Sequence, residues 1–338
     1  MKQIMSRIKR EKLYIIYCIF VFVCTIFLGN SILGGRMTGY FEKAGHFTEI
    51  PKEMQDKLIQ DLESYEKTVP FLVKTQDFTN SFGFKDYEWK IEKSSNTYRI
   101  IALGDSMTEG VGVAINDTWP KQLERKLNEL NLSKKFEVLN MGKRGYNTYK
   151  ELMTLKAIGL NYSPDMIILE YFHNDWEDPN IEIQSRELWV KYKKGEFKLP
   201  REIEEAIIKL NASDVSVSRL LNQYLLIKYY STVNWEEEWE KWVLPYLTEM
   251  ITICKHRGIK LIVITWDLSK EQSSKLNDLL NKHHIPFYDF SNYFPPFHLN
   301  SKLRIPDGHL SQFGYEIVAN KTAEELLNLF AENETVSI

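Results

Sequence analysis

A chain of 338 residues is long enough for one large domain or two small ones. Its 43% hydrophobic and 26% charged residues are ordinary for a globular protein, and a formal net charge of -3 gives no electrostatic case for nucleic acid. Two of the three cysteines, Cys18 and Cys24, sit in an apolar run and leave Cys254 alone, which argues against a disulfide framework or a cysteine-rich metal site.

The chain opens on "MKQIMSRIKREK", with Lys2, Arg7, Lys9, Arg10 and Lys12 against the single acid Glu11. From Leu13 to Gly35 there is no charge. That run is long enough to cross a bilayer core as a helix, which takes about 20 residues. The basic tail, residues 1–12, is expected to stay in the cytoplasm, with everything after Arg36 outside. A cleaved signal peptide has a shorter apolar core, roughly 7–15 residues, and no small-x-small cleavage site follows this one. The expectation is a single-pass cell-membrane protein, held in the lipid bilayer by residues 13–35, with an extracytoplasmic body.

Residues 36–97 read as a membrane-proximal stalk that packs on the main domain. Within them "IPKEMQDKLIQDLESYEKTV" has Met54, Leu58 and Leu62 on one helical face. The segment "DFTNSFGFKDYEW" then places turn chemistry at Asn80, Ser81 and Gly83 between aromatic residues.

From Tyr98 strands and helices alternate. "YRIIALGD" predicts a strand, and "DTWPKQLERKLNEL" a helix with Asp117 or Thr118 as its N-cap and Pro120 in its first turn. "FEVLNMG" and "YKELMTLKAIGL" repeat the pair, and "DMIILEYF" is a third strand ending in His173, Asn174 and Asp175. An insertion over about 177–234 is too long for an ordinary connection and predicts a cap beside the site. The alternation resumes with a helical region to Arg257, which Pro245 should kink or restart. The strand "KLIVITW", the helix "SKEQSSKLNDLLNKH" and the strand "PFYDF" follow. A last helix begins near Ser311, with Phe313, Ile317, Leu327 and Phe330 among its apolar positions. Five such strands predict an α/β fold over residues 98–332, a doubly wound, flavodoxin-like parallel sheet sandwiched by helices.

Strand and loop ends carry the candidate chemistry, on the side where such sheets bind ligands. Ser106 follows the first strand in "GDS", Gly145 follows the second in "NMGKRGYNT", and Asn174 follows the third in "YFHND". Asp307 and His309 lie in "IPDGHLSQFG", just before the last helix. Alone, each is an ordinary turn or a structural histidine. Together they form a set. A serine hydroxyl is a poor nucleophile unless a base takes its proton, a role His309 can fill with Asp307 holding its ring. The N–H groups of Ser106 and Gly145 and the amide of Asn174 can supply three donors to a developing oxyanion. One such donor is typically worth about 2.7–4 kcal/mol in the transition state. The motif is not the G-x-S-x-G elbow, because no glycine stands at position 108.

At these residues the chain resembles the SGNH (GDSL-type) hydrolases, in particular membrane-anchored bacterial members, over roughly residues 98–331. "GDS", "NMGKRG", "ND" and "DGH" fall in the family's order, and "NSFGFKD" looks like the lead-in of anchored members. The resemblance implies Ser106 as nucleophile, Gly145 and Asn174 completing the oxyanion hole, and His309 as base. Two departures stand out. Phe172 replaces the glycine usual before Asn-Asp, and one residue instead of two separates Asp307 from His309.

Lys143, Arg144 and His173 neighbour these blocks and are candidate pocket residues. Trp235, Trp239 and Trp242 recur at helical spacing, which suits a core-facing stripe better than a sugar platform. His283 and His284 lack metal-ligand spacing with any acid or cysteine. No phosphate-cradling or dinucleotide glycine pattern is present, so no cofactor and no metal are expected. The sequence points to a serine esterase that removes a small O-acyl group, such as acetyl, from a cell-surface or secreted carbohydrate or a lipid. The alternatives are an O-acyltransferase to an envelope glycan using the same site, and a non-catalytic scaffold or glycan-binding module.

Overall fold

The computed structural model describes residues 55–56, 58–59, 62, 78–130, 132–294, 302–305 and 308–333. All belong to the unit Lys52–Ile338; the other unit, Met1–Pro51, lies outside the described residues, and the apolar run 13–35 with it. Among the described residues no helix is long and apolar enough to cross a membrane.

The strands β1 (Thr97–Leu103), β2 (Lys135–Asn140), β3 (Met166–Glu170), β4 (Lys260–Thr265) and β5 (Phe287–Asp289) form one sheet in the order β2-β1-β3-β4-β5. Every pairing is parallel. The strand order reverses at β1, whose neighbours are β2 and β3. That switch point is where such sheets hold ligands, beyond the strands' carboxyl ends.

Apolar runs rather than alternating patterns make the central strands β1, β3 and β4, because helices cover both faces. Ile100 and Ala102 join the core with Leu123, Leu127, Val318 and Leu326, while Ile101 and Leu103 are equally buried and point the other way. Each fully buried Leu or Ile contributes roughly 1.5–3 kcal/mol. On one face α2 (Trp119–Glu129) packs on β2 and on the last helix, α10 (Gln312–Asn333). Elsewhere α3 (Thr148–Ala157) packs on α8 (Leu244–Arg257), which also meets β4. A one-turn helix, α1 (Ser106–Glu109), follows β1 directly.

Between β3 and β4 the insertion folds as three helices, α4 (Ile181–Lys193), α5 (Arg201–Leu210) and α6 (Asp214–Thr232), with α4 packed on α6. Next comes α7 (Trp235–Trp242), and Pro245 acts as a restart: α7 ends at Trp242 and α8 begins at Leu244, with proline in its first turn. The helix α9 (Lys270–Lys282) carries a full capping box from Ser269 and Gln272.

Two local expectations change. Thr118 occupies the N-cap position of α2, but its hydroxyl donates back to the Ile115 carbonyl (2.8 Å) instead of capping the helix. Phe313 is 62% exposed, since the buried stripe of α10 runs through Tyr315, Val318, Ala319, Leu326 and Phe330. Leu58 and Leu62 are both buried, as their shared face requires, and Met54 lies outside the described residues. The segment before β1 packs on the domain through Lys85 and Asp86, both buried. Lys85 Nζ donates to the carbonyls of Gly110 (2.9 Å) and Val113, while Asp86 pairs with Lys121 (3.1 Å) and accepts the Asn140 N–H. Burial pulls the Lys85 ammonium down to about 8.

Candidate active site

The site begins where β1 stops. A side chain on Gly104 would put its Cβ 2.5 Å from the Glu170 carboxylate and 2.2 Å from the Thr108 hydroxyl, so only glycine lets the strand end so close to β3. Asp105 then turns inward and accepts the Met107 N–H (2.7 Å), which caps α1 and sets Ser106 as its first residue. Asp105 shapes the turn.

Behind that turn Glu170 accepts from the Thr108 hydroxyl (3.0 Å) and the Asp105 N–H, and the Trp119 indole donates to the same hydroxyl (3.3 Å). Burial pushes the Glu170 carboxyl well up, and the Asp105 and Asp175 charges push it further. Glu151 and Asp175 are raised for the same reasons, burial first and neighbouring carboxylates second. Burial also raises Asp105, against the pull of the Met107 N–H, His309 and the Asn174 amide.

The second loop is tied to the first. The Arg144 N–H donates to Glu109 (2.7 Å) and its guanidinium pairs with the same carboxylate (3.1 Å). Gly145 has φ 69°, a left-handed conformation that disfavours any other residue, and its carbonyl accepts from Lys150 Nζ (2.7 Å). Asn147 caps α3 through the Lys150 N–H (3.1 Å) and donates to the Glu177 carbonyl (2.7 Å), linking the second loop to the third. In the third loop Asp175 accepts the Phe172 N–H (2.6 Å). The turn this makes presents Asn174, whose carboxamide hydrogen-bonds the Asp105 carboxyl. No described group accepts from the N–H of Ser106 or of Gly145. Phe172, where the resemblance leads one to expect glycine, is buried, its ring tilted against that of His173 with centroids 4.4 Å apart.

His309 arrives from the far end of the chain on a tight turn, with the Ile305 N–H donating to its carbonyl (2.8 Å) and Arg304 bridged to Leu310. Its Nε2 stands 2.9 Å from Ser106 Oγ, the distance proton transfer requires. Asp307 lies outside the described residues.

A cavity of about 1140 Å³ opens over this pair. Ser106, Gly145, Asn174 and His309 all line it, as do His173 and Arg144. Lys143 does not. Its ammonium donates to the Gly83 carbonyl (3.1 Å) and sits over the Phe84 ring, because a half-buried cation next to the lead-in segment finds a carbonyl and an aromatic face there. Trp239 is buried against Tyr171, and none of Trp235, Trp239 and Trp242 reaches the cavity, so that stripe serves packing. Among the described residues no cluster of His, Cys, Asp or Glu has the geometry to hold a metal ion.

Several contributors escaped the sequence reading. Glu170 is legible only as an acid closing an otherwise apolar strand, and Lys150 only as a basic residue in the first turn of α3. Glu177, whose carboxyl burial raises to about 7 against the opposing Tyr230 hydroxyl, sits in the cavity wall.

A serine paired with a histidine at the carboxyl ends of a doubly wound parallel sheet defines a serine hydrolase. The model of the GDSL-like lipase/acylhydrolase family matches residues 102–317, and the chain belongs to that family, whose members hydrolyse ester bonds. No curated protein sequence matches it. Among solved structures it is similar to the psychrotrophic esterase EstA from Pseudoalteromonas sp., at 13% identity over 70% of this chain and 100% of that one, with a TM-score of 0.43. It is also similar to the lipase/acylhydrolase from Enterococcus faecalis, at 15% identity over 68% and 95% of the two chains, with a TM-score of 0.37.

Proposed function

We propose that the protein is a serine esterase acting through an acyl-enzyme, with Ser106 as nucleophile and His309 as general base. As the Ser106 Oγ–carbon bond forms, the hydroxyl proton passes to His309 Nε2, and the carbonyl oxygen takes up negative charge. The N–H groups of Ser106 and Gly145 face that charge. Asn174 has two amide hydrogens, one for Asp105 and one for the oxyanion. Collapse breaks the bond to the alcohol, which leaves with the proton from His309. Water then gives a proton to His309 and attacks the acyl carbon, and the acid departs as the Ser106 Oγ–carbon bond breaks and Oγ takes that proton back from His309. Asp307, by its place two residues before the base, is assigned to orient the imidazole.

The single observation that carries this reading is the 2.9 Å contact between Ser106 Oγ and His309 Nε2. The Ser–His pair and the family membership give no support to the scaffold reading. The substrate we assign is a small O-acyl ester, such as an acetate, on a cell-surface or secreted carbohydrate or lipid. The uncharged run 13–35 and its basic flank support an anchored protein with this domain outside the cytoplasm. The test is p-nitrophenyl acetate turnover by the purified full chain in detergent, beside Ser106→Ala. Turnover that the variant lacks is expected, and equal turnover by both would overturn the assignment. Adding an acceptor glycan to the assay, with product analysis, separates hydrolysis from transfer.

A further inference from the structure

The insertion presents an unusual face to the cavity. A surface helix ordinarily buries an apolar stripe and gives its polar side to bulk water. The helix α6 does bury Val217, Leu220, Leu221 and Tyr224. Its opposite side, however, turns toward Ser106 and His309: Ser218, Arg219, Asn222 and Gln223 line the cavity at i, i+1, i+4 and i+5, all half-buried. The helix α4 adds Ser185 and Arg186 to the same wall. Together the two helices offer hydroxyls, carboxamides and two guanidinium groups beside the apolar Ile181, Val215 and Leu226, and neither contributes an acid. The acids of the cavity, Asp105, Glu177, Asp178 and Asp267, come from the loops beyond the sheet and the segment entering the insertion, and Asp267 is held by Arg304 at 3.2 Å. A wall built to sequester a long acyl chain would be apolar throughout, whereas here Ile181, Val215 and Leu226 are interspersed with polar and cationic groups. This one matches hydroxyl groups and an anion, since a guanidinium recognises carboxylate or phosphate oxygens with paired hydrogen bonds.

We propose that Arg186 and Arg219, with Ser218, Asn222 and Gln223, bind the alcohol half of the ester, and that this half is a polyhydroxylated group carrying a carboxylate or a phosphate. The inference rests on the serine-esterase reading above and gives that site its substrate class.

The test compares kcat/KM of the full chain on three O-acetylated substrates: a neutral oligosaccharide, a uronate oligosaccharide of equal length, and a sugar phosphate. p-Nitrophenyl acetate reports the acyl chemistry in parallel. At least one anionic ester is expected to be preferred by about tenfold or more, which corresponds to about 1.4 kcal/mol. That ratio should collapse in Arg219→Gln and in Arg186→Gln, mainly through KM. It should also shrink as salt is added to the wild type, a readout that needs no variant. Which anionic ester is preferred distinguishes carboxylate from phosphate. A ratio near one, a preference for the neutral ester, or a ratio that both arginine variants leave intact would overturn the proposal alone. No turnover of any ester, p-nitrophenyl acetate included, would overturn it together with the esterase reading.

Discussion

Thr108 and Glu170 are hydrogen-bonded at 3.0 Å, both fully buried, directly behind the turn that carries Ser106. The bond joins the helix after β1 to the end of β3, the two strands at the switch point. With the carboxyl raised by burial, its neutral isostere should serve as well. Glu170→Gln is expected to keep most of the wild-type kcat, whereas Glu170→Ala leaves the Thr108 hydroxyl and the Asp105 N–H without an acceptor. Unsatisfied buried groups cost about 1–3 kcal/mol each. Thermal melts and p-nitrophenyl acetate kinetics on the two variants decide the point, and equal loss in both would contradict it.

Removing either member of the Ser106–His309 pair should remove most of the chemistry. Ser106→Ala and His309→Ala are each expected to lower kcat by at least about 10³-fold, with far less than additive loss in the double variant. A serine-reactive phosphonate should label the wild type at Ser106, as mass spectrometry of the peptide would show.

Lys150 donates to the Gly145 carbonyl at 2.7 Å, and so holds the peptide that follows the N–H proposed above as an oxyanion donor. Lys150→Met should lower kcat by about tenfold, or about 1.4 kcal/mol, with a smaller change in KM. Partial recovery in Lys150→Arg would tie the loss to the hydrogen bond, and a change in KM alone would refute it.

The raised carboxyls make stability pH-dependent in a defined direction. Glu177 titrates near 4.5 when unfolded and at about 7 when folded, so between those values the native chain holds the proton more tightly. Its contribution is complete below the lower value and disappears as the pH rises through the upper one. Urea midpoints should therefore fall from pH 4.5 to pH 7, and Glu177→Gln should flatten part of that fall. A profile that rises across this range in the wild type, or one that the variant leaves unchanged, would contradict the assignment.

Much of the site was legible because its chemistry sits where strands stop. Ile100 to Leu103 is apolar and Gly104-Asp105-Ser106 is not, and the same change of composition marks Asn140 to Gly145 and Glu170 to Asn174. Pattern of that kind also yields the parallel sheet. Lys143 was misplaced as a pocket candidate because adjacent residues in a turn point in different directions, and sequence does not say which of Lys143 and Arg144 faces the serine. Phe313 fails for a related reason: the first turn of a helix can project past the core it later joins. Glu170 and Lys85 are invisible to periodicity, since each is a buried ionisable group whose reason for being there is a partner distant in sequence. The cavity face of α6 was hidden too, because a polar stripe on a helix reads as solvated until something is found opposite it.

Ser106 and His309 lie 203 positions apart in the chain. Between them stand most of the sheet and the whole insertion, and the turn that carries His309 immediately precedes α10, the last helix. That helix is seated on α2, with Gln312 donating to Asp117 at 3.0 Å. Loop closure over such a distance comes late in folding. During synthesis the chain thus acquires Ser106 first and His309 203 residues later. A chain that stops short of residue 308 lacks both His309 and the α10 side chains that complete the core around β1, so the Ser–His pair forms only once that helix docks.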